Sequence, residues 1–276
     1  MTRKIVLPTY QIFTNASMSS SLVSPAINIQ FLDNIGLELD IFLPKYKLAI
    51  EFNGLYWHST SVNKNPKYHM LKRIYCHKEK IELIQIFENE WINTPEIIKS
   101  IIKSKLFKSK NKIYARKLKI GFPNKKESSC FLRENHIKGE SIGSSFVGLY
   151  DKNKLLFLIG YKMNGTELYL SRVCTQINLI VVGGLSKLLH FLIKENQPKT
   201  IKSYTDHRYF NGNSLASLGF TRKSTFLSWM WTNYKETFNR QFCMATKLLT
   251  EKEHAKELGL VKIYDAGQSL WIKELN

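Results

Sequence analysis

Two short runs near the start of the chain, residues 38–43 and 48–53, are rich in apolar side chains at strand-like spacing. The four residues between them, 44–47, combine a proline with charged side chains, which is typical of a turn. The pattern therefore predicts a β-hairpin in which Leu43 lies opposite Leu48 and the pairing continues outward in register.

The two faces of this hairpin differ. Asp40 is expected opposite Glu51, and Glu38 opposite Asn53, so one face gathers three carboxylates and an amide. Like charges placed directly opposite each other destabilise a strand pair, which leaves two explanations. Either the acids bind Mg²⁺ or Mn²⁺, ions that prefer oxygen ligands, or they pair with nearby lysines on a solvated face. The other face is entirely apolar and carries Leu39, Ile41, Leu43, Leu48, Ile50 and Phe52.

Helix and strand patterns continue beyond the hairpin. Residues 67–80 repeat apolar side chains at helical spacing, and residues 81–87 form a mostly apolar run typical of a strand. Thr94 is placed to cap a further helix that opens at Pro95. The order of hairpin, helix, strand and helix predicts an α/β core.

A second α/β pattern occupies the second half of the chain. Its end contains a capping box at residues 250–253, a helix that stops at Gly259, and a predicted hairpin through residues 265–267. Helices are predicted at 130–135, 185–194 and 214–218, and strands at 146–150, 155–161, 167–173 and 200–205.

The charge of the chain is far from balanced. Its 276 residues include 41 Lys and Arg against 22 Asp and Glu, a net charge of +19, and a hydrophobic content of 43% is ample for a packed core. Such a cationic surface favours a polyanionic partner, above all double-stranded DNA. A membrane is not expected as a partner, because the sequence has neither a long basic amphipathic helix nor an apolar run of spanning length. Four widely spaced cysteines and the lack of a convincing signal peptide predict reduced thiols in an intracellular protein.

Positive charge is concentrated in residues 97–126, where eleven basic side chains occur without an acid. A run of one sign favours a track for the phosphate backbone over an ordinary solvated face, which usually mixes signs. The candidate DNA-binding residues are Lys99, Lys103, Lys105, Lys108, Lys110, Lys112, Arg116, Lys117 and Lys119, and the run ends with Lys125 and Lys126.

Asp40, ten intervening residues and then Glu51-Phe-Asn53 resemble the signature of the PD-(D/E)XK nuclease superfamily. The longer string LDIFLPKYKLAIEFNGLYWHS resembles the very-short-patch-repair branch and its phage homing endonucleases, over about residues 30–105. The resemblance implies a restriction-endonuclease-like mixed-sheet core. It also implies that Asp40 and Glu51 bind Mg²⁺ (or Mn²⁺), which activates water for phosphodiester hydrolysis.

The same resemblance implies further roles. His58 matches the His after the Trp and is expected to act as general base or to bind the scissile phosphate, with a structural hydrogen bond as the alternative. Asn53 stands where the motif has a Lys, so the sequence departs from the pattern there. Lys72 on the following helix is expected to supply that cation. The expected catalytic residues are Asp40, Glu51, Asn53, His58 and Lys72.

The second half of the chain resembles the GNAT acetyltransferase fold. VVGGLSKLLHFLIKE is similar to the strand, glycine loop and helix of that family, although only Gly183 and Gly184 remain of its pyrophosphate loop. Amides at this helix start are suited to an anion, either coenzyme A or a DNA phosphate, while close packing at a tight turn is the simpler alternative. The favoured interpretation is a GNAT-like domain reused for DNA binding; a live acetyltransferase and a purely structural domain are the others.

Together these patterns predict an α/β protein with a restriction-endonuclease-like mixed-sheet core followed by a second α/β (GNAT-like) domain. The expected segments are residues 1–36, a nuclease core at 37–110, a GNAT-like domain at 111–249 and a tail at 250–276. The expected function is a Mg-dependent endodeoxyribonuclease of the homing type, acting in a bacterial cytoplasm if phage-encoded, with a homodimer or sequential nicking needed to cut both strands. The alternatives are a GNAT-type acetyltransferase and a non-catalytic DNA-binding protein.

Overall fold

The computed structural model describes residues 24–25, 38–106, 111–245 and 249–275. The chain divides into two compact units: unit 1 takes Met1–Asn93 and Leu227–Gly267, and unit 2 takes Thr94–Phe226 and Gln268–Asn276. This division differs from the predicted segments. The boundary falls at Thr94 rather than after residue 110, and the tail from residue 250 is shared between both units.

The described residues form the following elements. The strands are β1 Ser24–Pro25, β2 Ile41–Leu43, β3 Leu48–Asn53, β4 Glu82–Phe87, β5 Lys112–Tyr114, β6 Lys119–Gly121, β7 Ser145–Asp151, β8 Lys154–Asn164, β9 Glu167–Thr175, β10 Ile180–Val182, β11 Thr200–Asp206, β12 Thr221–Phe226, β13 Trp229–Thr232, β14 Thr237–Phe238, β15 Val261–Tyr264 and β16 Gln268–Glu274. The α-helices are α1 Leu55–His58, α2 Tyr68–Lys78, α3 Glu88–Asn93, α4 Pro95–Lys105, α5 Lys125–Asn135, α6 Gly184–Asn196, α7 Asn213–Ala216 and α8 Glu251–Glu257. None of these helices is long and apolar enough to cross a membrane.

Unit 1 is built on a four-stranded sheet in the order β1-β2-β3-β4. The predicted hairpin register is confirmed in β2 and β3, where Leu43 pairs with Leu48 and Ile41 with Ile50. The turn between them is a single 3₁₀ turn that ends at Lys47, whose φ of 47° is left-handed. Strand β4 then runs parallel to β3 after the helix α2, so a hairpin and a helical crossover place three strands side by side.

A smaller sheet in unit 1 has the order β14-β13-β15. Its core contains Trp231, Cys243, Ala255 and Leu260, and α8 begins at the predicted capping box. The predicted hairpin through residues 265–267 is wrong, because β15 pairs with β13 in this sheet whereas β16 joins the sheet of unit 2. Pairing between distant parts of the chain has replaced the local hairpin.

Unit 2 contains a seven-stranded mixed sheet in the order β12-β16-β11-β9-β8-β7-β6. Strands β9 and β11 are parallel, but they pair only over residues 167–170 and 200–203. Beyond that point β9 continues to Thr175 and β11 to Asp206, each without a register partner on the other. The α6 helix packs on this sheet through Leu188, Leu189 and Leu192, which belong to the main core.

The large mixed sheet confirms the α/β class and is consistent with the GNAT-like domain predicted for the second half. The restriction-endonuclease-like core predicted for the first half is not shown by the four-stranded sheet. Hairpins followed by a helical crossover are common local solutions for any short α/β unit, so this arrangement alone does not identify a family.

Gly212 provides a test of packing in unit 2. Its φ is +82°, and a Cβ added there would overlap the buried ring of Trp271. We expect Gly212→Ala to lower the free energy of unfolding by about 3 kcal/mol, because the new methyl group must displace that ring as well as adopt a left-handed backbone. Chemical denaturation measures the change.

Gly165→Ala is the matched control for Gly212→Ala. Gly165 is also left-handed, with a φ of +57°, but has no atom within 4 Å of its added Cβ. We expect a loss of only about 1 kcal/mol there. Equal losses at both positions would show that the backbone, and not the contact with Trp271, accounts for the effect.

Candidate functional site

The acidic face of the hairpin in unit 1 carries a buried ion pair. The Lys72 ammonium on α2 donates to Glu51 Oε2 on β3 at 2.5 Å, and the two residues are only 3% and 4% exposed. The other oxygen, Glu51 Oε1, accepts the backbone N–H of Asp40 at 3.0 Å. In turn, Asp40 Oδ2 accepts the backbone N–H of Phe52 at 2.8 Å. The predicted pairing of Asp40 with Glu51 is not part of the observed ladder, which ends at Ile41 and Ile50, but these two hydrogen bonds keep both side chains together at the end of the hairpin.

A chain of hydrogen bonds runs beside this pair. His58 Nδ1 lies 3.1 Å from His69 Nε2, and His69 Nδ1 lies 2.8 Å from Gln85 Oε1. Asn53 follows Glu51 on the same face of β3 and is 1% exposed, and neither polar atom of its amide has a hydrogen-bond partner among the described residues. A buried amide without a hydrogen-bond partner is unfavourable, so the side-chain amide of Asn53 is still able to form hydrogen bonds with another polar group.

Burial controls the protonation of the cluster. It raises the pKa of Glu51 to about 7, against the opposing effect of the Lys72 ammonium. Burial and the same ammonium lower the pKa of His58 to about 4, so this imidazole is neutral at pH 7. Burial by itself would lower the pKa of Lys72, but the pKa is raised because Glu51, Tyr68 and Asp40 together outweigh the effect of burial. Burial also raises the pKa of Asp40.

The structure brings the expected catalytic residues of unit 1 together. Asp40, Glu51 and Lys72 are joined directly, Asn53 is on the same strand face, and the charge on Lys72 acts on His58. No comparison tests a catalytic role for any of them, so that role stays a prediction. The hydrogen-bonded partners His69 and Gln85 were missed. One signal was available, since His69 and Lys72 are three residues apart and share a helical face.

The arrangement does not suit the divalent metal predicted for it. In the described part of the chain, no group of three or more His, Cys, Asp or Glu side chains is placed to hold a metal ion. Both oxygens of Glu51 are already engaged, one by an ammonium and one by a backbone N–H. The lysine thus supplies the positive charge that the metal was expected to bring.

The predicted DNA-binding residues fall into two groups in unit 2. On α4, Lys99, Lys103 and Lys105 are half-buried; Lys99 pairs with Glu96 at 2.7 Å and the Lys105 ammonium lies 5.6 Å from the Phe210 ring centre. Lys108 and Lys110 lie outside the described residues. The exposed group is Lys112, Arg116, Lys117 and Lys119, together with Lys125 and Lys126 at the start of α5.

We call residues 112–126 the basic segment. None of its six exposed cations forms an ion pair with a carboxylate of the described chain. The segment is anchored from beneath by Lys187 on α6, which donates to the carbonyls of Ala115 at 3.0 Å and Leu118 at 2.6 Å. The backbone is therefore fixed while the charges face solvent.

The glycine loop before α6 has a structural explanation. A Cβ on Gly184 would lie 3.0 Å from the Phe157 ring and 3.0 Å from Val181, so this glycine allows the helix to approach the sheet. The residues before it form β10, which pairs in parallel with β5. The contacts of Gly184 with Phe157 and Val181 support the alternative of close packing at a tight turn.

Comparison with known proteins gives matches only among solved structures. No protein-family model and no curated protein matches this chain. A Bacillus subtilis acetyltransferase in complex with CoA is 13% identical, covers 58% of this chain and 100% of its own, with a TM-score of 0.37. The ribosomal-protein-S18-alanine N-acetyltransferase of Escherichia coli is 12% identical. The match covers 58% of this chain and 94% of that chain, with a TM-score of 0.35. A putative acetyltransferase from Salmonella typhimurium, solved with acetyl-CoA, is 13% identical. The match covers 58% of this chain and 95% of that chain, also with a TM-score of 0.35.

These matches overturn the nuclease prediction. The three solved structures are acetyltransferases, and none of them is a nuclease. The membership of the PD-(D/E)XK superfamily, the homing-endonuclease function and the Mg-dependent endodeoxyribonuclease activity are therefore wrong, as is the Mg²⁺ (or Mn²⁺) cofactor. At this low identity, the function of the chain has to be argued from its own residues.

The buried pair in unit 1 makes the stability of the protein depend on pH. We expect Lys72→Met to lower the free energy of unfolding by about 3–5 kcal/mol at pH 8, because it leaves the Glu51 carboxyl buried without its cation. The folded-state pKa of Glu51 then rises above its present value of about 7. The folded variant therefore retains a proton that its unfolded state has released, and its free energy of unfolding falls by about 1.4 kcal/mol per pH unit above pH 7. The free energy of unfolding of the wild type no longer falls for this reason above pH 7.

Urea denaturation of wild type and Lys72→Met at pH 6, 7 and 8.5 measures this effect. The double variant Glu51→Gln/Lys72→Met is the control, because it has no titrating carboxyl at this place and should lose no extra stability above pH 7. A penalty for Lys72→Met that is the same at all three pH values would contradict the buried pairing.

Proposed function

We propose that unit 2 binds double-stranded DNA through the basic segment. The observation that supports the proposal is the set of six exposed cations without a carboxylate partner, all within residues 112–126. Unpaired like charges repel one another, and a protein gains by bringing a polyanion to them. Phosphate contacts of this kind supply affinity and orientation but do not read sequence.

The local structure favours a preformed binding surface. Lys112 is on β5, Arg116 and Lys117 are on a 3₁₀ turn, and Lys119 is on β6, so short ordered elements carry the charges. Two more lysines open α5, where Asn124 caps the helix by accepting the N–H of Glu127 at 2.9 Å. A fixed backbone lowers the conformational entropy that binding must remove.

The charge of the segment predicts a strong dependence of binding on salt. If all six cations contact phosphates, log K should fall with log salt concentration with a slope of about −5. We expect Lys117→Glu/Lys119→Glu to reduce that slope by about 2 and to weaken binding at least about tenfold at 0.1 M salt, because two contacts become repulsions. Fluorescence anisotropy of a labelled duplex at several salt concentrations measures both.

Lys194→Glu/Lys199→Glu is the matched control for this test. Both lysines are exposed and belong to unit 2, but they lie at the end of α6 and at the start of β11, away from the turn that Lys187 anchors. The control changes net charge by the same amount, so it separates a localised binding surface from general attraction. Equal losses in both double variants would refute a localised surface.

Acyl-CoA binding is a second candidate function. It is favoured by the opening between β9 and β11, which are no longer paired beyond residues 170 and 203. In open α/β sheets, ligands bind at the carboxyl ends of parallel strands, next to helix N-termini. Helix α6 begins at that end of β9, since Gly184 packs on Phe157, the register partner of Thr175. The loop that contains residues 138–140 also spans the opening between these strands. Arg172 on β9 donates to the carbonyl of Glu140, and Lys138 forms an ion pair with Asp206 on β11.

A thermal shift with acetyl-CoA tests the second candidate. We expect 1 mM acetyl-CoA to raise the Tm if this nucleotide thioester binds at the opening between β9 and β11. Ser186→Asp should abolish the shift without unfolding the protein, because an acid in the first turn suits the helix dipole but repels a pyrophosphate. No shift in the wild type would rule out acyl-CoA binding and leave DNA binding unaffected.

A further inference from the structure

Two aromatic rings lie exposed within the basic segment. Tyr114, the last residue of β5, is 48% exposed, and Phe122, next after β6, is 69% exposed. Phe122 has no polar atom on its ring, so exposure of this ring to water is unfavourable. Phe is among the side chains most often buried, whereas Tyr is intermediate, so it is the placement of two exposed rings among unpaired cations that points to a ligand.

Both rings are held in place rather than left loose. The Arg116 guanidinium lies 5.1 Å from the centre of the Tyr114 ring. The Phe122 ring centre lies 5.8 Å from that of Phe191 on α6, at an interplanar angle of 55°. Each ring therefore has one supported side and one side open to solvent, which is the form of a stacking platform.

The ligand for such a surface must combine negative charge with flat apolar faces. A nucleic acid in which bases are accessible has both, since each nucleotide has a phosphate and a base that stacks on aromatic side chains. An intact duplex hides its base faces inside the stack. An anionic membrane also attracts cations and rings, but interfacial binding relies on a continuous apolar face, whereas here two rings are set among six cations.

We propose that Tyr114 and Phe122 stack on unpaired bases, so that the basic segment prefers DNA with a bulge or a single-stranded stretch to an intact duplex. This inference rests on the proposed DNA binding of unit 2 and adds to it the class of DNA that is preferred. The cations give the affinity for phosphate, and the two rings give the preference for accessible bases.

Three labelled DNA molecules of equal length test the proposal by fluorescence anisotropy: an intact duplex, the same duplex with three unpaired nucleotides, and a single strand. We expect the wild type to bind the two DNA molecules with unpaired bases at least about fivefold more tightly than the intact duplex. Tyr114→Ala/Phe122→Ala should remove this preference while leaving the salt slope on the intact duplex unchanged, because no cation is lost.

Two further variants keep this test specific. Tyr114→Phe should retain the preference, since stacking needs the ring and not the hydroxyl. Tyr204→Ala removes an aromatic residue of unit 2 that is 50% exposed but lies outside the basic segment, and it should also retain the preference. Thermal melting of each variant establishes that the fold is preserved.

The outcomes separate this inference from the one on which it rests. Salt-dependent binding to all three DNA molecules with equal affinity, or a preference that survives loss of both rings, overturns the stacking proposal alone. The lack of salt-dependent binding to any DNA overturns both proposals. If loss of the rings instead reduces flotation with vesicles of anionic phospholipid while DNA binding is unaffected, the surface is a membrane surface and the stacking proposal is wrong.

Discussion

The last strand of the chain holds the sheet of unit 2 together. Strand β16 lies between β11 and β12 and is hydrogen-bonded to both, with Thr200 paired to Glu274 and Thr221 to Ile272. It also supplies Trp271, whose indole N–H donates to Thr205 at 2.9 Å inside the core. Without β16, the edge strand β12 would have no partner in the sheet. Because these pairings join residues far apart in sequence, the seven-stranded sheet cannot be completed until the chain has passed through unit 1 and returned.

Lysine has three different roles in this protein, and burial decides which. The buried Lys72 forms a short ion pair that offsets the cost of placing a carboxylate inside unit 1. Lys187 is partly buried and uses its ammonium to hold two backbone carbonyls of the basic segment. Lys117 and Lys119 are exposed and unpaired, which leaves their charge available to a partner. The 41 Lys and Arg side chains behind the net charge of +19 thus include both structural and surface cations, and only the second kind is free to attract a polyanion.

Local patterns were predictable from the sequence, whereas contacts between distant elements were not. The register of β2 and β3 followed from alternation and a turn, because a shift by one residue would turn every apolar side chain outward. The position of Lys72 beside the acids followed from the helix after the hairpin. The partnership of His69 with Gln85 depends on how α2 packs against β4, and the separation of β15 from β16 depends on pairing across the whole chain. The basic run was visible, but which lysines are exposed depends on the faces that α4 and β5 present.

The pairing of Phe226 with Gln268 has a consequence for how the chain is organised. These residues are register partners on neighbouring antiparallel strands, so their Cα atoms lie about 5 Å apart. Residues 227–267 therefore leave unit 2 and return to it at one point, as an insertion does in a host domain. A tight two-residue connection spans that gap in many hairpins, so excision of the insertion would keep the strand order of the host intact. The two stretches of unit 1, by contrast, are joined in sequence only through the residues of the host.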